Sequence, residues 1–143
     1  MPSPGYQSYQ TANISTADRG KLIVMIYDHC IKWCKIAIDK MKINDVEQSS
    51  KAIFKVQDGI TELTCSLDMD NGGEIATNLF NLYSFYNRHL TTALREKKTD
   101  PILQVSEMLS DLRSAWLQAI ETVRREDRSK FREKATNQFQ MMG

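Results

Sequence analysis

The side chains with most chemistry to offer sit close together near the start of the sequence: His29, Cys30 and Cys34, with His89 far along the chain. Cys30 and Cys34 are one helical turn apart and could share a metal ion. Two thiolates with no further Cys or His nearby make an incomplete zinc site. Burial as small hydrophobes accounts for them better, because free cysteine is among the most buried residue types. A di-iron bundle would need two Glu-x-x-His motifs, but Ile26 and Tyr86 stand three residues before the two histidines. A lone histidine facing a bundle interior is more often a hydrogen-bonded core residue than a haem ligand. Nothing sets either histidine beside a nucleophile. Asp68 to Glu74, Asp-Met-Asp-Asn-Gly-Gly-Glu, resembles a calcium loop but is too short for an EF-hand, and turn chemistry explains it. No glycine-rich phosphate loop is present. The expectation is a chain that is not an enzyme, with no catalytic residue, cofactor, metal or small-molecule substrate.

The elements that would position any site read as helices. Leu22, Ile26, Cys30, Trp33, Ala37 and Met41 follow the spacing of one buried face from about residue 15 to 42. A second stripe, Ile23, Tyr27, Ile31, Cys34 and Ile38, lies about 100° around the same helix. Ser15 and Thr16 offer N-cap oxygens there, and Asp18 suits the first turn. Asn44 with Glu47 reads as a capping pair for a second helix, whose seam is Val46, Ser49, Ile53, Val56, Ile60, Leu63 and Leu67. Asp70-Asn71-Gly72-Gly73 ends it. Ile75, Leu79, Leu82, Tyr86, His89/Leu90 and Ala93 form the face of a third helix, with Phe80, Tyr83 and Phe85 off that seam. Thr99-Asp100-Pro101 opens a fourth, along Ile102, Val105, Leu109, Leu112, Trp116, Ala119/Ile120 and Val123. Four amphipathic segments with short connections predict an all-α, antiparallel up-down-up-down four-helix bundle.

Residues 1–14 read as a flexible polar tail with Tyr6, Tyr9 and Ile14 as apolar anchors, 15–125 as the bundle, and 126–143 as a charged extension. Phe131, Ala135 and Phe139 keep a weak helical spacing in that extension, which has little to bury. Only 6 Gly and 3 Pro in 143 residues favour long helices over the frequent turns of an all-β chain. The formal charge is +1, so phosphate neutralisation offers little and a nucleic-acid partner is not expected. The basic stretch Arg124 to Lys134 is interrupted by Glu126, Asp127 and Glu133 and reads as a solvated face. No apolar run reaches the length of a membrane span, so no membrane insertion is expected. The opening Met-Pro-Ser-Pro-Gly-Tyr lacks a charged n-region and an apolar h-region, and the 3 cysteines suit a reducing cytoplasm.

Several stretches resemble one family. Tyr9-Gln10, then Ala17-Asp18-Arg19-Gly20-Lys21-Leu22, then Met25-Ile26-Tyr27-Asp28 is similar to the opening signature of the flagellar secretion chaperone FliS. Val56-Gln57-Asp58-Gly59-Ile60 resembles its second-helix motif. Ser66-Leu67-Asp68-Met69 leading through Gly72-Gly73-Glu74-Ile75-Ala76 to Tyr83 is closer still, and Leu112-Arg113-Ser114-Ala115-Trp116 resembles a further family stretch. The resemblance holds one register from about Tyr6 to Ala119. Arg19 stands where the family has Pro, His29 where Gly is usual, and residues 121–143 pass the typical end.

The resemblance implies a cytoplasmic chaperone that wraps the disordered C-terminal segment of flagellin. It would prevent premature polymerisation and deliver the client to the flagellar type III export apparatus, with an export-gate component as a second partner. A generic helical-bundle adaptor with a different protein client is the alternative. A holder of an amphipathic segment needs spare apolar surface. Joined to the resemblance, the surplus stripes point to Ile23, Tyr27 and Ile31 on the first helix, Ile53 and Val56 on the second, and Leu79, Phe80 and Tyr83 on the third as client-binding residues. Tyr9 and Ile14 would fold over that surface when it is empty.

Overall fold

The computed structural model describes residues 16–142. They form four helices: α1 (Thr16–Lys42), α2 (Val46–Cys65), α3 (Gly73–Glu96) and α4 (Asp100–Met142). Among the described residues there is no strand. The fold is an all-α helical bundle, as expected. Its chain divides into two compact units: 23–113, and a smaller one that includes the start of α1 up to Leu22 and the chain from Ser114 onward.

The helix ends follow from local chemistry. Asn44 takes a left-handed φ of 58°, a conformation Asn tolerates, to leave α1. The N-cap of α2 is therefore Asp45 and not Asn44: its Oδ1 accepts from the backbone N–H of Gln48 at 3.1 Å. α2 stops at Cys65, before the Asn-Gly-Gly run, and Ser66 caps it. The loop after it is closed by Asp68, whose carboxylate accepts from both the backbone N–H and the side-chain amide of Asn71. Those hydrogen bonds hold the Asp68 carboxyl below its ordinary pKa. The carboxylate that suggested a calcium loop is thus committed to the turn. Lys97 ends α3 in the left-handed region, and Asp100-Pro101 restarts the chain within the first turn of α4.

In the unit 23–113, α2 supplies the most regular seam: Ser49, Ala52, Ile53, Val56, Gly59, Ile60 and Leu63 are buried. Val46 at its start is exposed. Residue numbers run oppositely along α2 and α3: Gln57 Nε2 donates to the Asn87 carbonyl and to Thr91 Oγ1, while Ser49 and Ser50 line a small pocket with Leu94 and Lys97. α1 meets α2 where Gly59 leaves room. A Cβ there would collide with Cys30 Sγ and crowd His29, so only hydrogen allows the two backbones to come so near.

The buried faces of α1 and α3 are rotated from those expected. On α3 the core positions are Ala76, Tyr83, Tyr86, Leu90 and Ala93, with Leu79 half-buried. Ile75 and Leu82, assigned to the seam by their size, are exposed, and Tyr83, assigned off it, is buried. The true seam is a seven-residue repeat of Ala76, Tyr83 and Leu90 interleaved with Leu79, Tyr86 and Ala93. Small alanines at its ends let the helix sit close, so bulk alone misplaces the face. On α1, Val24, Tyr27, Cys30, Cys34 and Ala37 are buried, whereas Leu22 is exposed and Ile26, Trp33 and Met41 are half-buried. The two stripes read from the sequence are edges of one wide core face.

In the smaller unit, Gly20 of α1 faces Ile120 of α4: a Cβ at Gly20 would fall 2.6 Å from Ile120 Cγ1. Beyond that contact α4 continues as helix through 126–142 without a break, and every side chain described from Arg125 to Met141 is exposed.

Candidate functional site

The polar centre of the unit 23–113 is a pair of tyrosines. Tyr27 of α1 and Tyr83 of α3 are almost wholly buried, and their hydroxyls share a hydrogen bond of 2.5 Å. Burial in the first place, and the Tyr27 hydroxyl in the second, raises the Tyr83 pKa far above its ordinary value. Tyr86 packs against Tyr83 with ring centroids 6.4 Å apart, and its pKa is raised by the same desolvation. Burial keeps the Tyr83 phenol neutral, and its hydrogen bond to the Tyr27 hydroxyl makes the pair a fixed polar strut across the core. Beneath it, Cys30 points its thiol at the Val56 carbonyl at 3.7 Å. Burial pushes the thiols of Cys30 and Cys34 up to about 12. A thiol so hard to ionise is a poor nucleophile and a poor metal ligand.

The two histidines serve helix pairing. His29 is exposed and donates Nε2–H to the Lys55 carbonyl at 3.3 Å, joining α1 to α2. His89 bonds through Nε2 to Gln104 Oε1 at 2.6 Å, joining α3 to α4, and stacks on Phe85. Arg113 Nε donates to Asp28 Oδ1, tying α4 to α1. Among the described residues, no group of three His, Cys, Asp or Glu is gathered in a way that would hold a metal.

The expected client-binding residues separate by burial. Tyr27, Ile53, Val56 and Tyr83 lie in the core, where they join α1, α2 and α3 and have no surface to offer in this conformation. Ile23, Ile31 and Leu79 are half-buried, and Phe80 is exposed. Helical spacing explains the grouping: Ile23 and Ile31 are one turn either side of Tyr27, and Leu79 is one turn before Tyr83. They border the buried tyrosines, with one edge in the core and one in solvent. Tyr9 and Ile14 lie outside the described residues.

Other exposed apolar side chains escaped the sequence reading. Met25 and Phe54 are more than half exposed, and Leu82 and Leu103 are also exposed; Phe85, expected off the α3 seam, is exposed as well. Met25 is in neither stripe expected on α1. Leu82 is the more informative omission, since its size and spacing suit the core. A correct heptad phase on α3 would have found it, because Leu82 and Phe85 flank Tyr83 and Tyr86 on the outward side.

Comparison with known proteins settles the lineage. The profile of the family described as Flagellar protein FliS matches residues 2–123. The chain belongs to the FliS family. A Bacillus subtilis relative named Flagellar secretion chaperone FliS is 29% identical over 121 residues, covering 85% of this chain and 90% of its own. The Salmonella typhimurium protein of the same name is 34% identical over 109 residues, covering 73% and 78%. A solved structure titled as a flagellar chaperone from bacteria shares the fold with a TM-score of 0.70 at 21% identity, across 83% of this chain and 99% of that one. Membership places this FliS-family protein among flagellar secretion chaperones and not among enzymes. No helix of the described residues is long and apolar enough to cross a membrane.

Proposed function

We propose that this FliS-family protein is a cytoplasmic export chaperone. It holds the C-terminal segment of flagellin, prevents its premature polymerisation and delivers it to the flagellar type III export apparatus, where an export-gate component receives the complex. The observation that carries this reading is the apolar surface bordering the tyrosine pair, in a chain whose named relatives are secretion chaperones. An amphipathic client supplies apolar anchors at helical spacing, and side chains half in solvent are what such anchors can cover.

Phe80, Leu79, Ile23 and Ile31 are the grip in this proposal. Tyr27, Ile53, Val56 and Tyr83 set their positions from within. Tyr9 and Ile14 are the proposed cover of the empty surface, displaced by client.

Titration of a flagellin C-terminal peptide by calorimetry tests the proposal. A complex at micromolar concentration or tighter is expected, and no heat at those concentrations would sink the reading. Phe80→Asp, at an exposed position, should weaken the complex about tenfold or more while leaving the fold intact. Deleting residues 1–14 should tighten it, and unchanged affinity would remove Tyr9 and Ile14 from the scheme.

A further inference from the structure

The second half of α4 carries a surface that the chaperone reading does not use. At 3.6 residues per turn, Arg124, Arg125, Arg128 and Arg132 fall within about 100° of the helix circumference. Glu126 and Glu133, which interrupt the basic stretch in the sequence, turn away from that face. Phe131 borders it and Phe139 continues it beyond Arg132. Both phenylalanines are among the most exposed apolar side chains described, at 74% and 80%. The FliS profile ends at residue 123, so the face begins where the shared family segment stops.

We propose that this arginine face, with Phe131 and Phe139 beside it, docks an acidic amphipathic segment of a second protein. A face built only to be solvated would interleave its signs, with an acid four residues before each base. Here Arg124, Arg128 and Arg132 are successive i, i+4 neighbours, a like-charge ladder that weakens an isolated helix. One acid relieves it: Glu121 Oε1 accepts from Arg125 Nε at 3.1 Å and Arg128 Nη2 at 3.4 Å. Among the described residues no carboxylate pairs with Arg124 or Arg132. A partner presenting carboxylates along a helix would complete what Glu121 begins, with bidentate geometry that only arginine offers. Exposed phenylalanines beside arginines match the composition of interface anchors.

The same charges exclude other occupants. A second copy docked face to face would set arginine against arginine. A nucleic-acid backbone would meet Glu121 inside the face and Asp127 at its edge. The apolar side, Phe131, Ala135 and Phe139, is too sparse to sink a helix into a lipid surface.

The test uses the full chain and a fluorescent helical peptide carrying Glu at i, i+4 spacing with Leu alongside, read by anisotropy. Micromolar binding is expected, weakened about tenfold or more by Arg124→Glu/Arg128→Glu/Arg132→Glu and by added salt. Phe131→Ala/Phe139→Ala should weaken it several-fold, and the Glu→Lys peptide should not bind. Where circular dichroism shows that charge reversal melts the helix, the corresponding Arg→Gln variant replaces it and must show the same loss. The proposal is overturned if the acidic peptide does not bind, if it binds the variants equally well, or if duplex RNA or phosphatidylglycerol vesicles bind more tightly than the peptide. Because no flagellin is used, failure here leaves the chaperone reading standing, and the reverse holds.

Discussion

The unit 23–113 and the stretch of α4 after Arg124 are both helical, but for different reasons. In the unit, α1, α2 and α3 are amphipathic and each hides a face: Cys34, Leu63 and Leu90 are inaccessible to solvent. Tertiary burial holds those helices. After Arg124 nothing is buried, and the helix rests on propagation from a packed segment together with local pairs such as Glu121 with Arg125. The first region resists change because side chains fill it. The second tolerates change, and its side chains are all available to a partner.

That contrast is broken most sharply at the core. Leu63→Ala should cost about 2–5 kcal/mol, because the removed carbons leave both transfer energy and a cavity behind. Urea unfolding of the variant checks it, and a cost near zero would mean that the seam is not packed as described.

Alkaline pH should separate the regions next. Burial raises Cys30 and Cys34 from an ordinary 9.0 to about 12. Below pH 9 both thiols are protonated whether the chain is folded or not, and stability is at its full value. As pH rises from 9 toward 12 the unfolded chain releases those protons and the folded one does not, so stability falls. The loss is at most about 1.4 kcal/mol per pH unit for each thiol. Urea midpoints under reducing conditions at pH 8, 9.5 and 10.5 should decline in this order. Cys30→Ala/Cys34→Ala should flatten that decline, and a variant with an unchanged slope would assign it elsewhere.

Much of the unit was legible because α2 repeats every seven residues with large aliphatic side chains, and its seam follows from spacing alone. On α1 and α3 the phase slipped because glycine, alanine, cysteine and tyrosine do the burying. Ala76 and Cys34 look like weak core residues and Ile75 and Leu82 like strong ones, and only the neighbouring backbone decides between them. The expectation for client-binding residues inherited that slip: Tyr27 and Tyr83 read as surplus surface but form the polar strut of the core. Charge direction on the extension was hidden for another reason. Read along the chain its signs alternate, and only winding them on a helix separates Arg124, Arg128 and Arg132 from Glu126 and Glu133.

Close approach is the next feature to test. Gly59→Ala adds a Cβ against Sγ of the fully buried Cys30. The expected cost is about 1–3 kcal/mol by urea unfolding, and Cys30→Ala in the same chain should recover part of it. The tyrosine strut comes after it. Tyr83→Phe leaves the Tyr27 hydroxyl without this partner and should cost about 1–2 kcal/mol. Tyr27→Phe/Tyr83→Phe should cost less than the two single changes added together. Strict additivity would mean that the hydroxyls do not act as a pair.

The smallest effect belongs to the exposed end of α4. Phe139 is 80% exposed, so replacing it with alanine removes almost no buried area. Alanine is also the better helix former, by a few tenths of a kcal/mol, roughly. Phe139→Ala should therefore leave global stability unchanged within about 0.5 kcal/mol. Hydrogen exchange should show the amides after Arg124 opening much faster than those of α2 in both proteins, since their protection is local and not global. If the substitution instead lowers the urea midpoint as a core change does, the end of α4 is packed against something in solution. The contrast between a filled region and an available one would then have to be redrawn around whatever covers it.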